Sequence, residues 1–146
     1  MNRFTALLAL GVLMLAIDAP FAQSGRAYRG RLSPVPVAAA SSDITGVGSV
    51  TATLAGTKLA ISGTFEGLAS PATFAKLHRG PKGIRGPAVF DLTITPGTSG
   101  KIEGSIDLSA AQVEDLARER FYVQLHSEKA PDGNLWGWLL VQETKR

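Results

Sequence analysis

The sequence has no cysteine among its 146 residues. This absence excludes disulfide bonds, thiol nucleophiles, iron–sulfur sites and a cysteine for lipid attachment. Charged residues are also few, at 18% of the chain, while hydrophobic residues reach 45%. That balance is typical of a folded domain and not of a disordered chain. The fold must therefore be stabilised by an apolar core without covalent cross-links.

Long apolar runs are absent apart from one near the start of the chain. After Arg3, an apolar stretch extends from Thr5 to Ile17, shorter than the ~20 residues that a membrane-spanning helix needs. A positive start, an apolar middle and a small residue such as Ala22 are the parts of a secretory signal. We predict a signal peptide at residues 1–22, a flexible N-terminus at 23–27, one domain at 28–142 and a C-terminal tail at 143–146.

The absence of disulfides in an exported chain favours a bacterial protein of the periplasm or the extracellular space. We predict no transmembrane segment in its mature form. The net charge of +3 at pH 7 is small. A protein that binds nucleic acid without sequence preference usually carries a much larger positive net charge, so nucleic acid is not expected as a partner.

Short strands joined by turns are predicted for most of the mature chain. Its 16 glycines are spread along the sequence, and Leu59 to Phe65 alternates in the period of a strand with one buried face. One helix is predicted at about 110–118, where Ser109 and Gln112 fit a capping box. The pattern predicts an all-β fold, an antiparallel Greek-key-like sandwich or barrel of about seven to eight strands with one short helix.

Four segments carry a resemblance to a known family. Leu32–Val37 has a proline–valine cluster, and Lys76–Pro87 has a strand ending in histidine, a glycine-rich loop and a Gly-Pro pair. Phe121–Ser127 is a tyrosine strand with a histidine, and Gly133–Gly137 is a Gly-x-x-x-Gly strand. In this order they resemble the CHRD (chordin) domain in its bacterial, exported, single-domain form. The resemblance implies a β fold and, since those bacterial members have no agreed activity, a binding or structural module.

Two histidines, His78 and His126, lie at predicted strand ends within these segments. If their strands are neighbours, the imidazoles can share copper or zinc, with Glu128 or Asp132 as carboxylate ligands. The alternative is that each ring hydrogen-bonds to the backbone and fixes the shape of a glycine-rich loop. No other cofactor is expected.

The last two predicted strands bring aromatic and polar side chains to one face of a hairpin. The members of this face are Tyr122, Gln124, Trp136 and Trp138. They meet if His126 pairs with Asn134, because side chains alternate along a strand. Aromatic rings beside hydrogen-bonding groups suit a sugar or a protein partner. Alternatively, the helix or the N-terminal segment covers this face.

A basic loop is the third candidate site. Lys76, Arg79, Lys82 and Arg85 recur at every third residue, and the stretch from Gly67 to Phe90 contains no acid. Such a loop, with its glycine amides, can hold phosphate, sulfate or carboxylate groups. The alternative is that these are ordinary solvated charges.

Motifs of common enzyme classes are missing, among them the Gly-x-Ser-x-Gly elbow and the phosphate-binding loop. We therefore predict an exported, non-catalytic binding or structural module. Its expected partner is an anionic polysaccharide of the envelope or extracellular space, or a protein. The alternative function is a copper- or zinc-binding periplasmic protein that uses His78 and His126.

Overall fold

The computed structural model describes residues 25–143, so the predicted signal peptide at residues 1–22 lies outside the described range. In chain order the elements are β1 (Arg26–Pro34), β2 (Val47–Ala55), β3 (Lys58–Glu66), β4 (Ala72–Arg79), β5 (Ala88–Ile94), β6 (Gly100–Asp107), α1 (Ala110–Ala117), β7 (Phe121–Ser127), β8 (Ala130–Trp138) and β9 (Leu140–Val141). Within residues 25–143, no helix is long and apolar enough to cross a membrane.

The strands close into an antiparallel barrel. Its order is β1-β2-β3-β6-β5-β4-β7-β8, and β8 returns to pair with β1. The short strand β9 pairs with another part of β1. Because β4, β5 and β6 form a meander between β3 and β7, the connections β3–β4 and β6–β7 make a Greek key. Over residues 25–143 the predicted all-β, Greek-key-like fold is confirmed as an eight-stranded barrel with one short helix.

Alternating apolar side chains fill the barrel. In β3, Leu59, Ile61 and Phe65 are buried while the residues next to them in sequence are more exposed. In β7, Val123 and Leu125 point the same way into the core. Each such side chain contributes about 1.5–3 kcal/mol by leaving water. Burial of this kind stabilises the fold without a disulfide.

The helix begins where the sequence predicts it. The Ser109 hydroxyl accepts a hydrogen bond from the Gln112 backbone N–H at 3.2 Å, and the Gln112 side-chain oxygen accepts one from the Ser109 backbone N–H at 2.9 Å. This is the predicted capping box. Leu116 is fully buried in the core cluster, so α1, which follows β6 in the chain, packs on the barrel.

Strand β1 begins earlier than the sequence suggested. Arg26 pairs with Leu54 and Ala27 with Thr53, although both fall in the predicted flexible N-terminus at residues 23–27. The reason is that closure of the barrel gives the start of β1 a partner along β2. Ordered backbone thus precedes the predicted domain start at residue 28.

Candidate binding surface

Strands β4, β7 and β8 turn aromatic and polar side chains to the outside of the barrel. The strand register places them in three transverse rows, which are His78–Tyr122–Trp138, Lys76–Gln124–Trp136 and Phe74–His126. We call these residues the aromatic face. The predicted pairings of Gln124 with Trp136 and of Tyr122 with Trp138 are confirmed.

The rings of the aromatic face contact one another. Phe74 stacks on His126 with ring centroids 4.1 Å apart. Tyr122 lies 4.5 Å from Trp138, and Trp136 meets Trp138 edge-on at 4.7 Å. Aromatic pairs of this kind contribute about 0.5–1.5 kcal/mol each beyond the area they bury. The face is therefore one packed cluster.

The glycine-rich loop between β4 and β5, residues Gly80–Pro87, lies over part of this face, and we call it the covering loop. The Tyr122 hydroxyl accepts a hydrogen bond from the Gly86 N–H at 2.9 Å and lies 3.2 Å from the Gly86 carbonyl, to which it donates. Trp138 Nε1 donates to the Gly80 carbonyl at 2.9 Å. As a result Tyr122 is fully buried and Trp138 is half-buried.

Glycine at position 86 is required by this close approach. A Cβ atom there would collide with the backbone carbonyl of Arg79, which cannot move without distorting β4. Gly83 at the tip of the loop has φ +79°, a left-handed conformation that glycine adopts without strain. The glycines that suggested an anion-binding loop are thus needed to fold the loop onto the barrel.

A bulge in the β7–β8 hairpin corrects the predicted register. His126 and Asn134 do not pair, because the register shifts between Leu125 and Ser127 and β8 already begins at Ala130. Gly133, with φ +133°, accommodates the extra residues. The bulge turns backbone carbonyls toward the side chains of β7.

Those carbonyls hold the polar members of the face. His126 Nδ1 lies 2.8 Å from the Pro131 carbonyl and donates to it, while the Gln124 amide donates to the Asp132 carbonyl at 3.1 Å. The Gln124 nitrogen also lies 3.3 Å from His126 Nε2, which accepts. Burial lowers the pKa of His126, an effect partly opposed by its bond to Pro131. His126 is consequently a neutral, hydrogen-bonded ring.

His78 is held by the backbone in the same way. Its Nδ1 donates to the Gly86 carbonyl at 2.9 Å, and its ring stacks on Tyr122 at 4.9 Å. The ring centroids of His78 and His126 are 6.5 Å apart. Within residues 25–143, neither Glu128 nor Asp132 completes a group of three or more potential metal ligands with them. The contacts are those of the alternative in which each ring fixes backbone shape.

Three of the four predicted basic residues carry ion pairs. Lys76 pairs with Asp91 at 3.0 Å. The Arg79 guanidinium holds Asp115 of α1 with two nitrogens, at 2.6 and 3.1 Å, and lowers the pKa of that carboxyl. Lys82 pairs with Glu119, whose pKa is lowered by this bond and by the Val141 N–H. The positive charges of these three residues are therefore paired with carboxylates of the same chain.

Arg85 differs from the other three. It is exposed and forms no ion pair with any residue in the described range. Its guanidinium donates to the Asp132 carbonyl at 3.0 Å and lies 6.0 Å from the centre of the Trp136 ring. This is a cation–π contact with an accessible charge.

One buried polar group was missed by the sequence reasoning. Asn134 is fully buried, accepts a hydrogen bond from the Ser127 hydroxyl at 2.8 Å and donates to the Thr45 carbonyl at 2.7 Å. It joins the loop before β2 to the hairpin. In the sequence Asn134 is a single polar residue between Gly133 and Leu135, a pattern too general to indicate burial.

The fold and this surface define a small Greek-key barrel domain with a loop-covered aromatic face. The family model described as the CHRD domain matches residues 30–139, so the chain belongs to the CHRD family. CHRD domains are non-enzymatic modules, typical of secreted or extracellular proteins. Comparison of the chain with curated proteins and with solved structures gave no match.

Proposed function

We propose that this chain is a non-catalytic binding module that acts outside the cell and binds an anionic polysaccharide at Arg85 and Trp136, which we call the rim of the aromatic face. The single observation that carries the proposal is Arg85 lying over Trp136 without an acidic partner among residues 25–143. At protein interfaces, tryptophan, tyrosine and arginine are enriched among the residues that carry most of the binding energy.

The chemistry of the rim suits an acidic sugar. The guanidinium of Arg85 has N–H groups in a planar fork that matches a carboxylate or sulfate. The half-buried Trp136 beside it leaves part of its apolar ring accessible for contact with a sugar. Because the Asp132 carbonyl and Trp136 already hold the arginine in place, little side-chain entropy is lost on binding.

Alginate, a polymer of uronic acids, is a suitable probe, with uncharged dextran as its control. We expect the purified protein to bind alginate and not dextran. Binding should weaken between 0.1 M and 1 M salt, as the Debye length falls from about 10 Å to about 3 Å. Arg85→Gln should weaken binding at least about tenfold, since a charge-assisted hydrogen bond contributes about 1.5–3 kcal/mol. Trp136→Ala should also weaken binding, because it removes the apolar ring surface that a sugar would contact.

The matched control is Arg118→Gln. Arg118 is an exposed arginine at the end of α1 and also forms no ion pair within residues 25–143, so the two variants change net charge equally. The proposal fails if Arg118→Gln weakens binding as much as Arg85→Gln, or if alginate binding is unchanged by both rim variants.

A further inference from the structure

The outer face of β1, β2, β3 and β6 differs from the rest of the barrel surface. Its register aligns Arg31, Ser49, Thr64 and Lys101 in one transverse row, since each is paired with the next across adjacent strands. The neighbouring row contains Arg29, Thr51 and Ser62 and reaches Glu103 of β6. We call this region the hydroxyl face.

The two arginines on this face, Arg29 and Arg31, are accessible and form no ion pair with an acid among residues 25–143. Together with Ser49 and Thr64 they line an open groove of about 580 Å³. That volume lies within the ~300–1,000 Å³ of small-ligand sites.

We infer that this groove is a second binding site, which takes a short segment of a sulfated or carboxylated oligosaccharide. Among the lining side chains, Ser49 and Thr64 carry hydroxyl groups, which can both donate to and accept from sugar hydroxyls, and Glu66 adds one carboxylate. Arg29 and Arg31 lie about 7 Å apart along one strand. Lys101 lies three strand spacings from Arg31, at about 14 Å. Charges at such separations fit a chain that carries an anionic group on successive units.

An acidic peptide fits this groove less well. Protein interfaces concentrate their binding energy in large side chains inserted into well-packed pockets. Here Phe65 is buried in the core and Val47 is half-exposed at the end of the groove, next to Glu66. The face therefore offers hydroxyl groups, spaced cations and the two carboxylates of Glu66 and Glu103, with no deep apolar pocket among the described residues lining it.

The test uses a heparin-derived octasaccharide and isothermal titration calorimetry of the purified protein. We expect Arg29→Gln/Arg31→Gln to weaken binding at least about tenfold. The matched control is Arg118→Gln/Arg120→Gln, which removes two exposed charges near α1 and should leave most of the affinity. Circular dichroism of both double variants is measured alongside, to check that the barrel is intact.

Several outcomes would overturn the inference. These are equal losses in the two double variants, binding of inorganic sulfate as tight as that of the octasaccharide, and equal affinity for a single-stranded oligonucleotide of the same charge. The inference is independent of the aromatic rim. Loss of octasaccharide binding in Arg85→Gln but not in Arg29→Gln/Arg31→Gln would place the site at the rim and refute the groove.

Discussion

The aromatic face and the hydroxyl face lie side by side on one barrel, joined by β1. Arg31 of β1 pairs with Ser49 on the hydroxyl face, and Ser33 pairs with Trp136 on the aromatic face. The aromatic face is closed by its own chain, since Tyr122 bonds to the covering loop and His126 to the bulge. The hydroxyl face is open, and its two arginines have no acidic partner among residues 25–143.

The difference teaches that conspicuous residues are not the same as available residues. Histidine and tryptophan stand out in a sequence, yet here most of their hydrogen-bonding groups are satisfied within the fold. Arginine and serine on a strand are common and do not mark a site in the sequence, although their side-chain hydrogen-bond donors face solvent. Ligand binding requires groups that the protein itself has not satisfied.

The largest expected effect is a loss of stability when a glycine that holds the covering loop on the aromatic face is replaced. A replacement on the hydroxyl face is the comparison. Gly86→Ala places a methyl group against the Arg79 carbonyl and should destabilise the protein by about 2–3 kcal/mol. Ser49→Ala, in the open groove, should change stability by less than about 0.5 kcal/mol. Urea unfolding followed by tryptophan fluorescence measures both.

A second glycine of the covering loop serves as the control. Gly83 has open space around a Cβ but a positive φ, so Gly83→Ala should cost about 1 kcal/mol from backbone strain alone. Equal stability of Gly86→Ala and the unchanged protein would show that the covering loop is not held against the barrel.

The fold could be predicted from sequence because its signals are local. Alternation from Leu59 to Phe65 marks a strand, and the Ser109–Gln112 spacing marks a helix start. Two cross-strand pairings on the aromatic face also followed from period-2 alternation. The predicted His126–Asn134 pairing is wrong, because a bulge at Gly133 shifts the register and alternation in the sequence does not show where a bulge occurs.

The site was harder to predict than the fold because charges find distant partners. Arg79 meets Asp115, and Lys82 meets Glu119, across 36 and 37 residues of chain. A stretch without acids in sequence was therefore not a stretch without acids in space. In the same way, the candidate site at Arg29 and Arg31 exists only because strands β2, β3 and β6 lie beside β1 in the barrel, which the sequence does not show.

A smaller effect is expected from pH, and it should be confined to the closed face. Burial lowers the pKa of His126 in the folded protein below the value of about 6.5 in the unfolded chain. The unfolded chain then binds a proton that the folded chain refuses, so stability should fall as pH is lowered from about 7.5 through 6.5. Unfolding free energies measured by urea titration between pH 8 and 5 give the slope.

His126→Gln should reduce that slope, because it removes the titrating group. The lowered pKa values of Asp115 and Glu119 act in a separate window, below about pH 4.5, where protonation removes their contribution. An unchanged slope between pH 7.5 and 5 in His126→Gln would mean that this ring is not buried as a neutral group.

The smallest expected effect is the change in melting temperature on adding metal. This measurement tests whether the aromatic face has enough free ligand atoms to bind a metal ion. His126 has both ring nitrogens engaged, and although His78 Nε2 is buried without a hydrogen-bond partner in the described range, a single nitrogen cannot hold zinc or copper firmly. We expect equimolar Zn²⁺ or Cu²⁺ to leave the melting temperature unchanged, because only binding to the folded state raises it. Metal analysis of untagged protein is the second readout. Stoichiometric metal that disappears in His126→Ala would refute the description of the aromatic face as closed and would favour the metal-binding alternative. To bind a metal, His126 would have to exchange its hydrogen bond to Gln124 or to Pro131 for a metal–nitrogen bond.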